Sequence, residues 1–366
     1  MQNRGETKYA MVMAYLLNYI KEYHLVAGDK LPTEMQLVEE LGISRITIQR
    51  AIRNLQQQGV VRRVQGGGTY VAGDAGEQAE DKELQFIPFV LTNDNDYTGA
   101  LDYIQGADSY LSNHSYYLTV HSSHKNAEEE CEVIRRLVED GAKCIIVQPF
   151  ASSENYFLYF QMMQKGVDFV FVDRMPKNLV ANWVMCDNIT GGYLAAKHLA
   201  KCGAKRIGLV SLDPIASAYS LEQRKAGYQL ALQEERLPYR EEYIQFANEG
   251  EEIKELIDRL LGLPEPPDAL FCANDITAVD ALNYLQSIHR EVPEDILIMG
   301  FDNLSITQSA SVPISTIEQP FFKIGYEAAR IARKLLSGER DYIAQEILPV
   351  KLQKRMSTGK NFKNNS

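Results

Sequence analysis

Short apolar runs alternate with stretches of helical period from residue 86 almost to the end of this 366-residue chain. Seven runs have strand length and are nearly continuous in apolar residues, as is typical of parallel strands buried on both faces: residues 86–91, 117–121, 144–148, 168–172, 206–211, 269–273 and 297–301. Helical patterns separate them, for example over residues 128–139, 191–201, 220–234, 276–287 and 323–336. This alternation predicts an α/β fold of doubly wound parallel sheets. This number of strands is larger than one sheet of a single domain usually holds, and we therefore expect two lobes.

The composition is that of a folded intracellular protein. Hydrophobic residues make up 45% of the sequence, which excludes a wholly disordered chain. No apolar run reaches about 18 residues, so we expect no membrane span, and the first residues lack the apolar core of a secretory signal. The five cysteines are odd in number and include no Cys-x-x-Cys pair, which predicts free thiols in a reducing cytosol. We therefore expect a cytoplasmic protein.

Charge divides the chain into a basic head and an acidic body. Residues 1–71 carry nine basic and six acidic side chains, whereas the other residues carry 29 basic and 43 acidic ones, so the net charges are +3 and −14. Phosphate backbones attract only the first part. Residues 72–82 contain no large apolar residue, which is typical of a flexible linker. The predicted organisation is a head at 1–71, a linker at 72–84, a two-lobed body at 85–355 and a polar tail at 356–366.

Three helices fit residues 7–58 of the head. The first carries an apolar stripe with helical spacing, formed by Val12, Leu16, Tyr19, Ile20 and Tyr23. Thr33 and Gln36 form a capping box for the second helix, which Gly42 ends, and Ser44 caps the third. The side chains expected to face inward from these two helices are Met35, Val38, Leu41, Ile48, Ala51, Ile52 and Leu55. Two helices joined by a glycine-containing turn predict a helix-turn-helix.

The third helix has the side chains of a recognition helix. Ser44, Arg45 and Thr47 lie in its first turn, and its outer face carries Ile46, Gln49, Arg50 and Arg53. Arginine can bond guanine and glutamine can bond adenine, while hydroxyls suit phosphates. Two β-prone stretches then flank a triple glycine at 66–68, which predicts a hairpin whose bare tip can enter a minor groove beside Arg62 and Arg63. The alternative is a small three-helix docking domain with solvated arginines.

Segments 28–34, 44–48 and 66–71 resemble the winged-helix head of the GntR-family bacterial regulators. The resemblance covers nearly all of residues 7–71 and implies that Arg45, Thr47, Arg50 and the glycine wing touch DNA, with Glu34 near the recognition surface. The family often has arginine where this chain has Gln49. Together, the helix pattern and the resemblance give the predicted DNA-binding set: Glu34, Ser44, Arg45, Thr47, Gln49, Arg50, Gly67 and Gly68.

Polar residues follow three of the predicted strands in the body. Asp173 and Arg174 follow one strand, Asn274 another, and Asp302 a third. The carboxyl ends of parallel strands are where ligand-binding groups collect. Carboxylates, amides and an arginine fork suit a sugar, whose hydroxyls both donate and accept hydrogen bonds. Taken singly, each of these residues is also a common turn or helix-cap residue.

The body resembles the effector domain of the LacI/GalR regulators and the periplasmic ribose-type binding proteins over about residues 86–352. The resemblance is carried by segments 172–174, 187–192, 224–228, 274–275, 300–303 and 315–320. It implies that a sugar is hydrogen-bonded by Asp173, Arg174, Arg224, Asn274, Asp302 and Gln319, with Phe301 as an apolar wall. The usual aromatic pair is missing at 94–100, where Tyr97 is a candidate substitute and Trp183 a weaker one. We expect Asp187 and Asn188 to cap the helix that follows them.

No motif supports an enzyme. His121 and His124 lack a third metal ligand at a recognisable spacing. The sequence contains no G-x-S-x-G elbow, P-loop or kinase signature. Residues 128–130 are glutamates of a helix face and are expected to be solvated. We therefore predict no catalytic residue, no metal site and no cofactor.

The two resemblances together imply a homodimeric transcriptional regulator. We expect it to bind operator DNA, to repress genes of carbohydrate use, and to be released by a small sugar, arabinose or a related pentose or hexose. Two alternatives stay open: a solute-binding protein of a sugar transport system, and an activator that uses the sugar as co-effector.

Overall fold

The computed structural model divides the chain into two compact units, Met1–Glu83 and Leu84–Ser366. It describes residues 4–26, 28–64, 68–72, 85–92, 99–150, 155–176, 178–213, 219–248, 250–339 and 343–359. Most of the predicted linker (73–84) and most of the predicted tail (360–366) lie outside these residues.

The first unit has three helices and a hairpin. They are α1 (Arg4–Glu22), α2 (Glu34–Leu41), α3 (Arg45–Gln57), β1 (Val61–Val64) and β2 (Gly68–Val71). The strands pair antiparallel, with Val61 opposite Val71. The predicted capping box of Thr33 and Gln36 is present, and Gly42 ends α2 in the left-handed conformation. This winged helix-turn-helix confirms the fold predicted for the head.

The head differs from the prediction at two positions. Tyr23, predicted in the apolar stripe of the first helix, follows the end of α1 and is 59% exposed. Leu37 is fully buried, whereas Met35 is 68% exposed, so the expectation that Met35 faces inward was wrong. Positions two apart on a helix differ by about 200°, so only one of them can face the core. The other buried side chains of this core are Val12, Leu16, Ile20, Leu31, Ile43, Ile48, Ala51, Ile52, Leu55, Val61 and Val71.

One lobe of the second unit is a six-stranded parallel sheet with strand order β13-β7-β6-β5-β3-β4. Its strands are β3 (Gln85–Leu91), β4 (Tyr116–Ser122), β5 (Cys144–Val147), β6 (Asp168–Val172), β7 (Asn182–Cys186) and β13 (Gln345–Leu348). Its helices are α4 (Ala100–Leu111), α5 (Ala127–Glu139), α6 (Tyr156–Gln164) and α12 (Phe321–Leu336), and a 3-10 turn covers Ser112–His114. Six of the seven predicted strand segments agree with an observed strand to within one residue at both ends. This agreement follows from their continuous apolar character.

The other lobe is a four-stranded parallel sheet with strand order β11-β10-β8-β9. Its strands are β8 (Ile207–Ser211), β9 (Ile244–Phe246), β10 (Ala269–Cys272) and β11 (Leu297–Met299). Its helices are α7 (Asn188–Lys201), α8 (Tyr219–Glu234), α9 (Ile253–Leu261), α10 (Asp275–Ser287) and α11 (Ile306–Ser309), with 3-10 turns at Glu241–Tyr243 and Met356–Thr358. The two parallel sheets confirm the predicted α/β body.

The chain passes between the lobes three times. It leaves the larger sheet after β7 to enter α7, and it returns after β12 (Thr316–Glu318) to form α12. It leaves again after β13 to form β14 (Lys351–Gln353), which pairs antiparallel with β12. The second and third crossings are therefore joined by the two-stranded sheet of β12 and β14. The first crossing is joined to the third by a hydrogen bond from the amide of Asp187 to the carbonyl of Leu348 (2.8 Å).

Helices α7 and α8 approach to backbone contact through two glycines. A Cβ on Gly192 would lie 2.1 Å from the carbonyl oxygen of Arg224, and a Cβ on Gly227 would lie 2.0 Å from that of Ile189. No side chain fits at such distances, so these glycines fix the position of α8 and of Arg224 on it.

We expect Gly227→Ala to lower the free energy of unfolding by about 1–3 kcal/mol or more, because the added methyl forces two backbones apart. Gln229→Ala is the matched control, since Gln229 is exposed on the same helix and such surface changes usually stay within about 0.5 kcal/mol. Chemical denaturation measures both. Equal stability of the two variants would show that the helices can separate without cost.

Candidate functional site

Glu34 joins the three elements of the predicted recognition surface. Its carboxylate accepts from Arg45 Nε (2.9 Å) and Gln49 Nε2 (2.8 Å) on α3. It also forms an ion pair with Arg63 on the hairpin. Glu34 therefore links α2 to α3 and to the wing, and its carboxylate is paired with these side chains.

The remaining predicted DNA-binding residues are placed as follows. Ser44 precedes α3, and its hydroxyl bonds that of Thr47 (2.9 Å) rather than a helix amide. Arg50 is exposed, with its guanidinium 5.4 Å from the Tyr9 ring centre. Gly68 opens β2 with a φ of 119°, where a Cβ would meet Lys30 at 2.9 Å. Gly67 lies outside the described residues.

A cavity of about 140 Å³ lies where the carboxyl ends of the two parallel sheets face each other. The predicted sugar-binding residues that line it are Asp173, Arg174, Arg224, Asn274, Asp302 and Gln319. The lining residues that the sequence analysis missed are Thr92, Lys125, Gln148, Phe150, Asp213, Ser220, Leu221, Ile276, Leu304 and Phe321. Three of them, Thr92, Gln148 and Asp213, follow β3, β5 and β8 within two residues. The strand-end rule would have found these three had it been applied to every strand.

Arg224 is held on every side. Its guanidinium stacks 3.7 Å from the ring centre of Phe301, Nε donates to Asn188 Oδ1 (2.9 Å), and Nη2 lies 3.8 Å from Asp302 Oδ1. Phe301 is fully buried beneath this group. The prediction that Phe301 forms a wall of the cavity is therefore corrected: its ring supports Arg224 from behind.

Of the two residues predicted to cap α7, Asp187 is the N-cap and Asn188 is not. Asp187 accepts from the amide of Thr190 (2.9 Å) as the N-cap. Asn188 is the first residue of the helix and is buried, with its side-chain oxygen bonded to Arg224. It orients the guanidinium of Arg224 instead of capping the helix.

Two cavity carboxylates have strained backbones. Asp173 has φ of 62° and Asp302 has φ of 127°, conformations that non-glycine residues rarely adopt. Asp302 accepts from Gln319 Nε2 (2.6 Å), and Asp173 accepts from Gln148 Nε2 (3.1 Å). Burial raises the pKa of Asp302, and the charge of Arg224 opposes that rise. Strain of this kind collects at functional sites.

Asn274 both caps a helix and lines the cavity. Its side-chain oxygen accepts from the amide of Thr277 (2.8 Å), and its amide nitrogen donates to Asp213 (3.1 Å). The next residue, Asp275, is buried below, where it accepts from the amide of Leu304 (2.7 Å) and the hydroxyl of Thr316 (2.6 Å). Burial raises the pKa of Asp275. The two roles expected for Asn274 are therefore compatible.

A buried glutamate supports the opposite wall. Glu130 is fully buried and accepts from the amide of Phe150, from Asn155 Nδ2 and from the Tyr159 hydroxyl, each at 2.7 Å. The carbonyl of Phe150 in turn accepts from Arg174 Nη1 (2.8 Å). Burial raises the pKa of Glu130, against the effect of these hydrogen bonds. The expectation that Glu130 is solvated was wrong, because the fourth residue of α5 faces the core.

We expect Glu130→Gln to lower the free energy of unfolding by about 1–3 kcal/mol, because an amide cannot accept from all three donors and leaves one buried donor without a partner. The loss of the Phe150 anchor should also weaken ligand binding at Arg174. Thermal unfolding and calorimetry measure the two effects. Glu129→Gln, on the exposed neighbour, should change neither, and an unchanged Glu130→Gln variant would contradict this role.

The other sequence candidates lie away from the cavity or outside the described residues. Trp183 packs beside the core of the six-stranded sheet, and Tyr97 is not among the described residues. Within those residues, no group of three or more His, Cys, Asp or Glu side chains could hold a metal ion. None of the helices described is both long and apolar enough to cross a membrane.

Two family models match the chain. Residues 8–71 match the bacterial regulatory proteins of the gntR family, and residues 196–358 match the periplasmic binding protein-like domain. Among curated relatives, the arabinose metabolism transcriptional repressor of Halalkalibacterium halodurans is 27% identical over 92% of this chain and 91% of its own length. The transcriptional repressor PurR of Vibrio atlanticus is 30% identical over 62% of this chain and 68% of its own length. Among solved structures, a complex of the regulator CelR with cellobiose covers 89% of this chain and 100% of its own at 20% identity, with a TM-score of 0.67.

The chain therefore belongs to the bacterial DNA-binding transcriptional regulators that join a gntR-family winged head to a LacI-type, periplasmic-binding-protein-like effector domain. Within this class it is similar to the arabinose metabolism repressors along nearly its whole length.

Proposed function

We propose that this regulator is a repressor whose effector is a small sugar bound in the cavity between the two lobes. The observation that carries the proposal is the cavity itself: Asp173, Arg174, Arg224, Asp302 and Gln319 converge on it from both sheets. Charged and amide groups in this arrangement can donate to and accept from several hydroxyls at once. The arabinose repressors to which the chain is similar support the same class of effector.

The size of the cavity favours a small ligand over an oligosaccharide. Its volume of about 140 Å³ is close to the roughly 150 Å³ of an interior cavity that accommodates one benzene ring, and benzene has fewer non-hydrogen atoms than a hexose, so a second sugar ring has no room. A disaccharide would need the lobes to stand further apart. A pentose or hexose is therefore the effector that we propose.

In the head, we propose that Arg45 and Arg50 contact bases or phosphates and that Ser44 and Thr47 contact phosphates. Gln49, Gly67 and Gly68 complete the proposed contact surface, while Glu34 orients Arg45. A homodimer would place two such heads on the half-sites of a near-palindromic operator. In this proposal, Asp302 and Gln319 draw the lobes together around the sugar, and the closure reaches the heads through residues 72–84.

A thermal-shift screen of pentoses, hexoses and their phosphates tests the effector class. A ligand at 100 times its Kd stabilises the folded state by about 2.7 kcal/mol. We expect at least one monosaccharide to raise the Tm of the wild type and to raise that of an Asp302→Ala variant clearly less. If no sugar raises the Tm, or if the variant responds equally, the cavity is not a sugar site.

A further inference from the structure

The turn that carries Asp302 is held in a conformation that its own residues disfavour. Asp302 and Asn303 are consecutive non-glycine residues with positive φ, of 127° and 64°. Such residues persist where their surroundings determine the backbone. The backbone of Asp302 is fixed on the crossing strand β12, because its amide bonds the carbonyl of Ile317 (2.6 Å) and its carbonyl accepts from the amide of Gln319 (3.3 Å). The groups that hold Asn303 therefore also determine the position of the Asp302 carboxylate.

Arg355 holds Asn303 from outside the cavity. Arg355 follows β14 and is partly buried, and it is not among the described residues that line the cavity. Its guanidinium donates to the carbonyl of Ile314 (2.7 Å) and to the hydroxyl of Thr307 (3.0 Å). The other terminal nitrogen of the guanidinium donates to Asn303 Oδ1. A rigid planar fork with three such bonds fixes the position of Asn303 relative to the smaller lobe.

The nitrogen end of the Asn303 side chain is held as well. Asn303 Nδ2 donates to Glu318 Oε2 (3.4 Å) on β12, and the same oxygen accepts from Gln353 Nε2 on β14. A cation therefore binds the amide oxygen of Asn303 and a carboxylate binds its amide nitrogen. Hydrogen bonds with a charged partner are stronger than neutral ones. Both charged partners come from the segments by which the chain crosses between the lobes, so these segments hold the turn.

We infer that Arg355 is a positioning residue of the effector site: through Asn303 it holds the strained turn that presents the Asp302 carboxylate to the sugar. This inference rests on the proposed function and adds to it a residue that does not contact the ligand. Without the bond from Arg355, the turn can relax toward a more favourable backbone conformation and carry the carboxylate away from Arg224 and Gln319. A binding group has to be held within about 0.5 Å of its productive position by the residues that support it.

The alternative is a purely structural role, in which Arg355 joins the segment after β14 to the smaller lobe and affects folding alone. Asn303→Gly separates the two roles. Glycine adopts a positive φ without strain, so this variant can still form the turn but loses both of its side-chain bonds. If Arg355 acts through Asn303, an Arg355→Met change and an Asn303→Gly change remove the same constraint. Their effects on sugar affinity are then not additive.

Calorimetry on the full chain with arabinose, ribose, xylose, glucose and galactose identifies the sugar that the wild type binds most tightly, and that sugar is the probe. We expect Arg355→Met and Asn303→Gly each to weaken its binding about tenfold, the factor that corresponds to one hydrogen bond to a charged group. The double variant should bind no more weakly than either single variant. Arg206→Met is the matched control, because Arg206 also bonds a carbonyl, that of Pro266 (2.7 Å), but it precedes β8 at the amino end of the smaller sheet. The control should leave sugar affinity unchanged, whatever its effect on the Tm.

Four results would overturn the inference. Wild-type sugar affinity in both single variants would do so and would leave the proposed function standing. Additive losses in the double variant would show that Arg355 does not act through Asn303, and an equal loss in Arg206→Met would show that any destabilisation of the lobe weakens binding. If none of the five sugars binds, the proposed function fails together with the inference. Should Arg355→Met not fold, Asn303→Gly alone decides, because it removes the same bond from the other side.

Discussion

The Asp302→Ala variant is expected to bind operator DNA with wild-type affinity and to respond to the effector only at much higher concentrations. Asp302 follows β11, an edge strand of the smaller sheet, and it lies beside Arg224 and is bonded to Gln319. A hydrogen bond to a charged group contributes about 1.5–3 kcal/mol, so sugar affinity should fall about 10- to 150-fold. Calorimetry measures the sugar affinity, and fluorescence anisotropy of labelled DNA measures the operator affinity.

Asp108→Ala is the matched control for this variant, because Asp108 is an exposed carboxylate of α4 away from the cavity. It should keep both affinities. If Asp302→Ala retained the sugar response, the ligand would have to bind elsewhere. A joint loss of sugar binding and DNA binding would instead indicate that Asp302 supports folding.

The Arg45→Ala variant should show the opposite pattern, with weaker operator binding and unchanged sugar binding. Glu34 occupies Nε of Arg45, which leaves the two terminal nitrogens of the guanidinium, with four of its five N–H donors, for DNA. A bidentate contact to a base contributes about 1–3 kcal/mol of discrimination, so operator affinity should fall about 5- to 150-fold. Sugar affinity should not change.

Arg53→Ala is the control for charge alone, since Arg53 is exposed on the same helix and one net charge is lost in both variants. It should weaken DNA binding less, and mainly through the salt dependence of affinity. Equal effects of the two variants on operator binding would mean that the head reads no sequence through Arg45.

Local sequence rules predicted the elements that local interactions determine. The capping box at Thr33 and the left-handed cap at Gly42 follow from side-chain and backbone preferences within a few residues. The predicted ligand residues Asp173, Asn274 and Asp302 likewise follow from their place after continuous apolar strands. The parallel sheets bring these strand ends together, so the sequence pattern located the cavity, although ten of its lining residues were not predicted.

Tertiary packing decided the features that the sequence did not reveal. Glu130 and Glu129 are neighbours of the same residue type, and only the position of α5 on the sheet buries the first of them. Phe301 could be assigned to the cavity or to its support only once the position of Arg224 was known. The strands β12 and β14 have three residues each, which is too short for a period to be recognised.

The central claim is that a sugar held between the lobes changes the affinity of the head for DNA. Its most direct test is the anisotropy of a fragment selected by the full chain from random DNA, titrated with and without a monosaccharide that calorimetry shows to bind. A coupling of about 1–3 kcal/mol is typical between linked sites. We predict that operator affinity falls about 5- to 150-fold at a sugar concentration that saturates the wild type, and that it falls much less at that concentration in the Asp302→Ala variant. The same operator affinity with the cavity empty and with it saturated would contradict the claim.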